Sequence, residues 1–519
     1  MDTNKSLIAS VRLVSLGTLS SRVLGFVRDV LIARFFGTGM RAQAFIVAFR
    51  LPNLLREVVG ETSASATVVP VFSHLAEEEK PEEFWRAANC LLNVLIVILC
   101  AFTLLGELFA PLVVRIIAPG FTKDPATLLL TIKMTRLLFP YILLIGLSIY
   151  AMAMLNSLKT FALPAFAPCM LNVSLIVSML LFCQRFREPA HALAVGVLIG
   201  GLLQLLMQIP LLLNKGFRLK GGFCLVHPKI QEIGRLFLAR TLGIAIYHIN
   251  VFVDTILGSL SWIVGEGAVA ALYYSNRIIQ FPIALFGLAL AQVATPTLSA
   301  QAARKDFAEL KQTVSFSLRS IFVTMLPASA GIMVLARPLT SLLFERGNFT
   351  SYSTQITASV LFFYCLGLVS FAAAKVLASC FYALKDTATP ARVAAGALLV
   401  NVVLSVALMR PFKVVGLALG TSCATYVNFS VLLSLLGKRV GVIPQLGKTV
   451  KGALISTLAM AVVLWLVFYH TGPLLYNGKV FLLKMLFTIT LGISVYVAAL
   501  ALFAPEEKEL FTRWISRKR

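Results

Sequence analysis

The sequence predicts an all-α polytopic membrane protein of about fourteen transmembrane helices, and three observations predict it. Hydrophobic residues fill 59% of the 519 positions and charged residues only 13%, with a mean hydropathy of +0.89; a soluble domain carries about 25% charge. Apolar runs of about 20 residues, enough to cross a ~30 Å hydrocarbon core, recur from end to end. The Lys and Arg residues between those runs alternate between dense and sparse loops.

The elements follow from the polar breaks. The N-terminal "MDTNKSLIASVRLVSLG" lacks a short apolar region with a small-residue cleavage site, so it reads as the retained first span. The apolar runs centre near residues 22, 56, 97, 141, 174, 202, 247, 284, 325, 369, 401, 425, 460 and 491. Loops such as "HLAEEEKPEEFWR", "NKGFRLKGGFCLVHPK", "QAARKDFAELK" and "GKRVGVIPQLGKTVK" follow even-numbered spans. About 23 Lys and Arg lie near span ends on that side against about 10 on the other, which puts both termini, including the basic "RWISRKR" tail, in the cytoplasm.

The net charge of +24 belongs to loops obeying that rule rather than to a soluble nucleic-acid-binding face. The eight cysteines form no CxxC pair; Cys90, Cys100, Cys169, Cys183, Cys365, Cys380 and Cys423 lie in or beside apolar runs and read as small hydrophobes. The five histidines show no metal-ligand spacing, so no metal site is expected.

The chain repeats itself. "PVFSHL" at Pro70 recurs as "PTLSAQ" at Pro296, and "LKTFALP" (158–164) recurs at the same offset as "LKDTATP" (384–390). At nearly that offset Pro111 and Gly120 recur as Pro338 and Gly347, Asp29 as Asp254, and Arg50 as Arg277. Six spans per repeat make the halves parallel, the arrangement of transporters that bind substrate where their repeats meet. The domains expected are an N-terminal lobe (1–225), a C-terminal lobe (226–440) and two unrepeated spans with a basic tail (441–519).

Charges inside apolar spans mark the candidate site. On a helix of 3.6 residues per turn, Thr18, Ser21, Arg22, Gly25, Arg28 and Asp29 share a sector of about 120°, while Arg34 falls off it near the helix end. Span 2 places Arg50, Asn53, Arg56, Glu57, Gly60 and Glu61 on one side, with Pro52 removing a backbone bond. Span 8 groups Tyr273, Asn276, Arg277 and Gln280. A charge at mid-membrane costs at least ~2.5 kcal/mol, so these groups must face a cavity or one another. Structural pairing accounts for part of the set, Arg28 with Asp29 and Arg56 with Glu57 or Glu61. The arginines outnumber the acids, and surplus guanidinium in a cavity suits a phosphate anion. Asp254, amid "YHINVFVDTILG" in span 7, is either a proton or cation site, with Asn401 and Thr421 as added oxygens, or the partner of a neighbouring cation.

These residues sit in motifs that resemble the MurJ (MviN) family of lipid II flippases: "SRVLGFVRD" with "ARFFG", "AFRLPNLLRE", "YYSNRIIQFP", "FERGNFT" and "KVLASCFYALKDTATP". The motifs span both halves, so the resemblance covers nearly the whole chain. It implies the multidrug/oligosaccharidyl-lipid/polysaccharide exporter fold, residence in the bacterial cytoplasmic (inner) membrane, and transfer of undecaprenyl-pyrophosphate-linked disaccharide-pentapeptide to the outer leaflet for peptidoglycan synthesis. Membrane lipids and other cell-wall synthesis proteins are the implied partners. It carries a pyrophosphate-binding role onto Arg22, Arg28, Arg56 and Arg277, with Asp29 beside them and Arg50 at a position that tends to be basic. The last two spans would line a groove for the lipid tail. The chain departs from the pattern at Gln43 and Asn276, where relatives often have acids, and at Glu57, where a second basic residue is common. The lost acids leave the cavity more positive and weaken any coupling scheme that relies on them.

No GxxxxGK[ST] loop is present, which leaves a membrane potential or a Na+ or H+ gradient as the candidate energy source and no cofactor. A polysaccharide-unit flippase or a cation-coupled antiporter of the same superfamily is the alternative, but an antiporter of cationic drugs would prefer an acidic or aromatic cavity. A membrane-embedded transferase would need a paired acidic cluster for Mg2+, and the intramembrane acids are single, so no catalytic residue is assigned.

Overall fold

Every regular element among the described residues is a helix. The computed structural model describes residues 2–57, 67–78, 81–219, 224, 227–470 and 478–506. By internal contact the chain divides into two compact units, Met1–Leu260 and Ser261–Arg519.

The first unit runs α1 (Asp2–Phe36), α2 (Met40–Leu55), α3 (Val69–Glu77), α4 (Pro81–Leu108), the short α5 (Ala110–Ile117), α6 (Pro125–Leu138), α7 (Pro140–Ser157), α8 (Ala162–Phe182), α9 (Ala190–Asn214) and α10 (Pro228–Gly258). The second runs α11 (Ser261–Val264), α12 (Ala268–Pro282), α13 (Ala289–Ala303), α14 (Phe307–Val334), the short α15 (Ala336–Phe344), α16 (Ser351–Ala383), α17 (Ala388–Phe412), α18 (Val414–Val440), α19 (Leu446–His470) and α20 (Lys479–Phe503). In the first unit α8 packs on α1 and α9, α7 on α9 and α4, and α2 on α6. In the second, α18 packs on α16 and α17, α14 on α16 and α19, and α19 on α20.

Ten helices among the described residues are long and apolar enough to cross a membrane, and the bent pair Ser351–Leu366 and Leu368–Ala383 makes an eleventh. The expected fourteen is compatible with these eleven plus α1, α2 and α10. The described stretch of α1 carries Arg22, Arg28, Asp29 and Arg34. Large apolar side chains stand exposed along the others, Leu399 and Val403 on α17 and Leu483 on α20 among them. In water such surfaces would aggregate; lipid is the solvent that suits them.

The repeat is visible in the backbone. Helices α4 and α14 begin at Pro81 and Phe307, each is followed by a short helix, and α9 and α18 end at Asn214 and Val440, all at the offset of the "LK" motifs. Lys159 and Lys385, which occupy equivalent places in those motifs, both hold positive φ (57° and 59°). At each, the next amide reaches back five residues, Thr160 to the Leu155 carbonyl and Asp386 to the Phe381 carbonyl. This is the left-handed helix cap in which a 6→1 bond satisfies an orphan carbonyl. Both second spans also pass from α- to π-helix after a proline, at Arg56–Glu57 after Pro52 and at Ile283–Leu288 after Pro282.

One expectation is corrected. Cys90 is not a free apolar cysteine; it is disulfide-bonded to Cys224 with Cα atoms 4.8 Å apart. The cause is a fold-back: Phe217 stacks edge-on against Trp85 on α4, and the Asn89 side chain donates to the Arg218 carbonyl at 3.1 Å. The six other cysteines are free.

One close helix contact rests on two glycines a turn apart on α9. A Cβ on Gly196 would lie 2.9 Å from the Leu175 Cα, and one on Gly200 2.8 Å from the Leu171 Cα, so α8 and α9 touch backbone to backbone. Gly200→Leu is therefore expected to destabilise the protein by about 1–3 kcal/mol, seen as a lower melting temperature in detergent. Gly396→Leu, where nothing lies within 4 Å, should melt like the parent. Equal melting of the two variants would refute the close contact.

Candidate functional site

The charged face of α1 is held in place by its neighbour α8. Arg28 and Asp29 are both buried in spite of their charge, 8% and 2% exposed. Arg28 donates to Asp29 Oδ1 from Nε at 3.0 Å and from Nη2 at 2.8 Å, and its Nη1 donates to Asn172 Oδ1 at 3.0 Å. Asn172 in turn donates to the Ser21 carbonyl at 3.0 Å. The guanidinium is thus fixed on two sides, by a carboxylate of its own helix and by an amide 144 residues away. Gly25 on the same face lies beside Asn172, where a Cβ would be in ordinary van der Waals contact with the amide nitrogen at 3.6 Å. Arg22, about 9 Å back along the helix, is exposed and makes no hydrogen bond or ion pair with the described residues.

On α2 and the turn after it, Arg56 Nε donates to Asn53 Oδ1 at 3.2 Å, and Asn53 donates to Glu57 Oε1 at 2.7 Å. Glu57 lies 3.9 Å from Arg56 Nη2 and 3.8 Å from Nδ1 of His248 on α10. Glu57 therefore serves two partners, one of them on another span. Arg50 is half-buried on the same helix. Glu61 and Gly60, expected on this face, lie outside the described residues. The buried Tyr141 phenol on α7 lies in the positive field of both Arg56 and Arg28, and its hydroxyl has no hydrogen-bond partner among the described residues. Among the described candidate residues of α1, α2 and the turn after it, Arg22, Arg28, Arg50 and Arg56 stand against Asp29 and Glu57, a surplus of two positive charges.

The second unit builds a smaller polar face on α12. Arg277 Nη2 donates to the Tyr273 hydroxyl at 3.1 Å and Nη1 to Gln280 Oε1 at 3.4 Å, with the guanidinium carbon 4.8 Å from the Tyr273 ring centre. Gln280 donates to Asn276 Oδ1 at 2.8 Å, so all four expected residues form one network. Asn276, in place of an acid, supplies an acceptor without a charge.

Of the candidate cation ligands, Asn401 and Thr421 do meet. The fully buried Asn401 Oδ1 accepts from Thr421 at 3.3 Å, a bond that ties α17 to α18, and from Ser405 of its own helix at 3.1 Å. Asp254 is half-buried on α10, in the first unit. No group of three His, Cys, Asp or Glu able to hold a metal ion occurs among the described residues.

Sequence reasoning missed three residues. Asn172 and Tyr141 look like ordinary span residues until the fold sets them beside arginines. Lys375 stands within the quoted "KVLASC" motif; it is exposed at mid-helix on α16, its ammonium 5.3 Å from the Phe371 ring centre. The unrepeated α19 contributes to a further feature, an apolar cavity of about 670 Å³ bounded by Phe322 on α14, Phe429 and Leu433 on α18, and Leu454 and Leu458 on α19, with Lys451 among its walls.

Comparison with known proteins gives a consistent answer. The family profile "Lipid II flippase MurJ" matches residues 32–500. The lipid II flippase MurJ of Burkholderia cenocepacia is 33% identical over 438 residues, covering 84% of each chain. A solved structure, "Lipid II flippase MurJ, inward closed conformation", superposes with a TM-score of 0.80 at 25% identity and covers 95% of this chain and 99% of its own. An inward-facing multidrug resistance MATE transporter of the MOP superfamily shares the fold at 15% identity, with a TM-score of 0.63 over 81% of this chain and 94% of its own. With the charged faces of α1, α2 and α12 in place and the profile covering all but the chain's ends, this protein belongs to the MurJ family of lipid II flippases, transporters rather than enzymes.

Proposed function

We propose that this protein moves lipid II, an undecaprenyl-pyrophosphate-linked disaccharide-pentapeptide, from the inner to the outer leaflet of the cytoplasmic membrane by alternating access. The observation that carries the proposal is the arginine surplus on α1 and α2, with Arg28 preset by Asp29 and Asn172. A guanidinium held in one orientation before the ligand arrives loses little freedom on binding, and its planar fork matches phosphate oxygens. Arg22, exposed and unengaged among the described residues, meets the pyrophosphate first; Arg28 and Arg56 complete its coordination, and Arg50 adds positive field. Arg277, already oriented by Tyr273 and Gln280, contributes the second unit's contact in the cycle. The polyprenyl tail stays in the apolar phase, and the cavity walled by α14, α18 and α19 is of the right character to receive part of it. Both termini lie in the cytoplasm, and other cell-wall synthesis proteins supply and consume the lipid. Turnover draws on the membrane potential or on a Na+ or H+ gradient sensed at Asp254.

Complementation of bacteria depleted of their own lipid II flippase tests this at matched membrane levels. Wild type and Arg34→Ala are expected to rescue growth, whereas Arg28→Ala and Arg277→Ala are not. Rescue by all four would reduce the arginines to structure, and failure of well-inserted wild type would point to a different lipid-linked substrate.

The presetting of Arg28 is testable separately. Asp29→Ala leaves a buried guanidinium without its carboxylate and should cost about 3–5 kcal/mol of stability, read from detergent melting curves. Asn172→Leu should be milder in stability yet still weaken rescue. Normal rescue by Asn172→Leu would show that Arg28 does not depend on its second anchor.

Asp254→Asn is expected to abolish the ion dependence of transport in reconstituted vesicles. Unchanged transport with unchanged ion dependence would exclude Asp254 as the coupling residue.

A further inference from the structure

Away from the charged faces of α1, α2 and α12, the second unit holds a cavity of about 470 Å³ at the ends of three helices. Its walls are Arg392 on α17, Lys438 and Arg439 on α18, Asp386 in the turn between α16 and α17, and the apolar Phe381 and Leu435. Arg439 Nη1 donates to Asp386 Oδ2 at 2.6 Å, and Asp386 also accepts from the Thr389 amide at 2.9 Å and the Thr389 hydroxyl at 2.8 Å. The Thr389 amide, its hydroxyl and Arg439 hold the Asp386 carboxyl down at about 2, so it stays ionised at every physiological pH. One anion thus faces three cations. Arg392 and Lys438 are exposed and make no hydrogen bond or ion pair with the described residues.

The internal repeat shows that the fold does not demand these cations. The positions one repeat earlier, on the equivalent helices α8 and α9, are Phe166, Leu212 and Leu213. The first half carries apolar side chains at these positions, whereas the second lines a pocket with positive charge.

We infer that this pocket binds the phosphate of an anionic glycerophospholipid, with Arg392 and Lys438 as the phosphate ligands and Arg439 as a fixed positive wall. The ligand chemistry follows from the charge: an excess of guanidinium and ammonium around a small cavity selects a phosphate oxyanion. A lipid rather than free phosphate follows from the surroundings. The pocket floor is Phe381 and Leu435, and α17 runs from it into the exposed, lipid-facing Leu399 and Val403. A head group can occupy the cations while its acyl chains lie along α17. Basic pockets between helix ends on the cytoplasmic side suit such head groups, and the Lys/Arg bias assigns this end to the cytoplasm. The inference is independent of what the protein transports.

The test uses purified full-length protein in a neutral detergent, with bound lipid counted by native mass spectrometry. It is titrated with phosphatidylglycerol, with phosphatidylcholine, and with inorganic phosphate as competitor. Wild type should retain phosphatidylglycerol over phosphatidylcholine, and Arg392→Gln/Lys438→Gln should lose one bound phosphatidylglycerol or bind it at least about tenfold more weakly. Arg392→Lys/Lys438→Arg keeps the charges and should bind like the parent, which separates loss of the site from loss of the fold. Wild-type binding by the glutamine variant would overturn the site. Displacement of the lipid by an equal concentration of inorganic phosphate would overturn the lipid as its occupant.

Discussion

A guanidinium inside an apolar helix is the constraint around which the first unit is arranged. Arg28 is buried, and an unpaired charge there would be costly enough to expel the helix from the membrane or unfold it locally. Asp29 neutralises it from the next position on α1, but a neighbour one residue away engages only Nε and Nη2. The third contact must come from another helix, and Asn172 on α8 supplies it while bonding back to the Ser21 carbonyl. That requirement fixes how α1 lies on α8. Packing and charge are therefore solved by the same residues on this face of α1.

The α2 face meets the same constraint with weaker means. Arg56 and Glu57 are both partly exposed, and their separation of 3.9 Å is that of a loose pair. Asn53 bridges them, and His248 approaches the carboxylate from α10. A tight pair at Arg28 and a loose one at Arg56 are suited to different tasks. The first holds a guanidinium still, and the second leaves both partners partly exposed. The π-helical turn at Arg56 and Glu57 adds to this difference, because a widened turn places these side chains outside the regular α-helical spacing.

Much of this architecture was legible in the sequence, and the reasons are local. Apolar runs and loop charges report the medium directly, so the membrane fold followed from composition and order alone. The repeat was readable because the duplicated "LK" turns keep the same left-handed cap at Lys159 and Lys385. The polar sector of α1 was readable because helical periodicity places Arg22, Arg28 and Asp29 on one face. Asn172, Tyr141 and the Cys90–Cys224 bond were not readable, since each depends on a residue more than a hundred positions away. An asparagine in a span or a cysteine in a loop carries no periodic signal that distinguishes an anchor from a bystander.

The two halves separate what the fold needs from what the activity needs. Shared features are those of construction: the capped turns, the short helix after the third span of each repeat, and the close pairing of α8 with α9 and of α17 with α18. Several polar side chains are not shared. Asn172 of the first half is matched by Leu398, Asn401 of the second by Leu175, and Arg392 by Phe166. A polar side chain that one half carries and the other replaces with Leu or Phe cannot be a requirement of the common scaffold. Each such position was free to become apolar and did not. The duplication thus acts as an internal control, and by that standard the Arg28–Asn172 anchor, the Asn401–Thr421 link and the Arg392 pocket are features that one half needs and the scaffold does not.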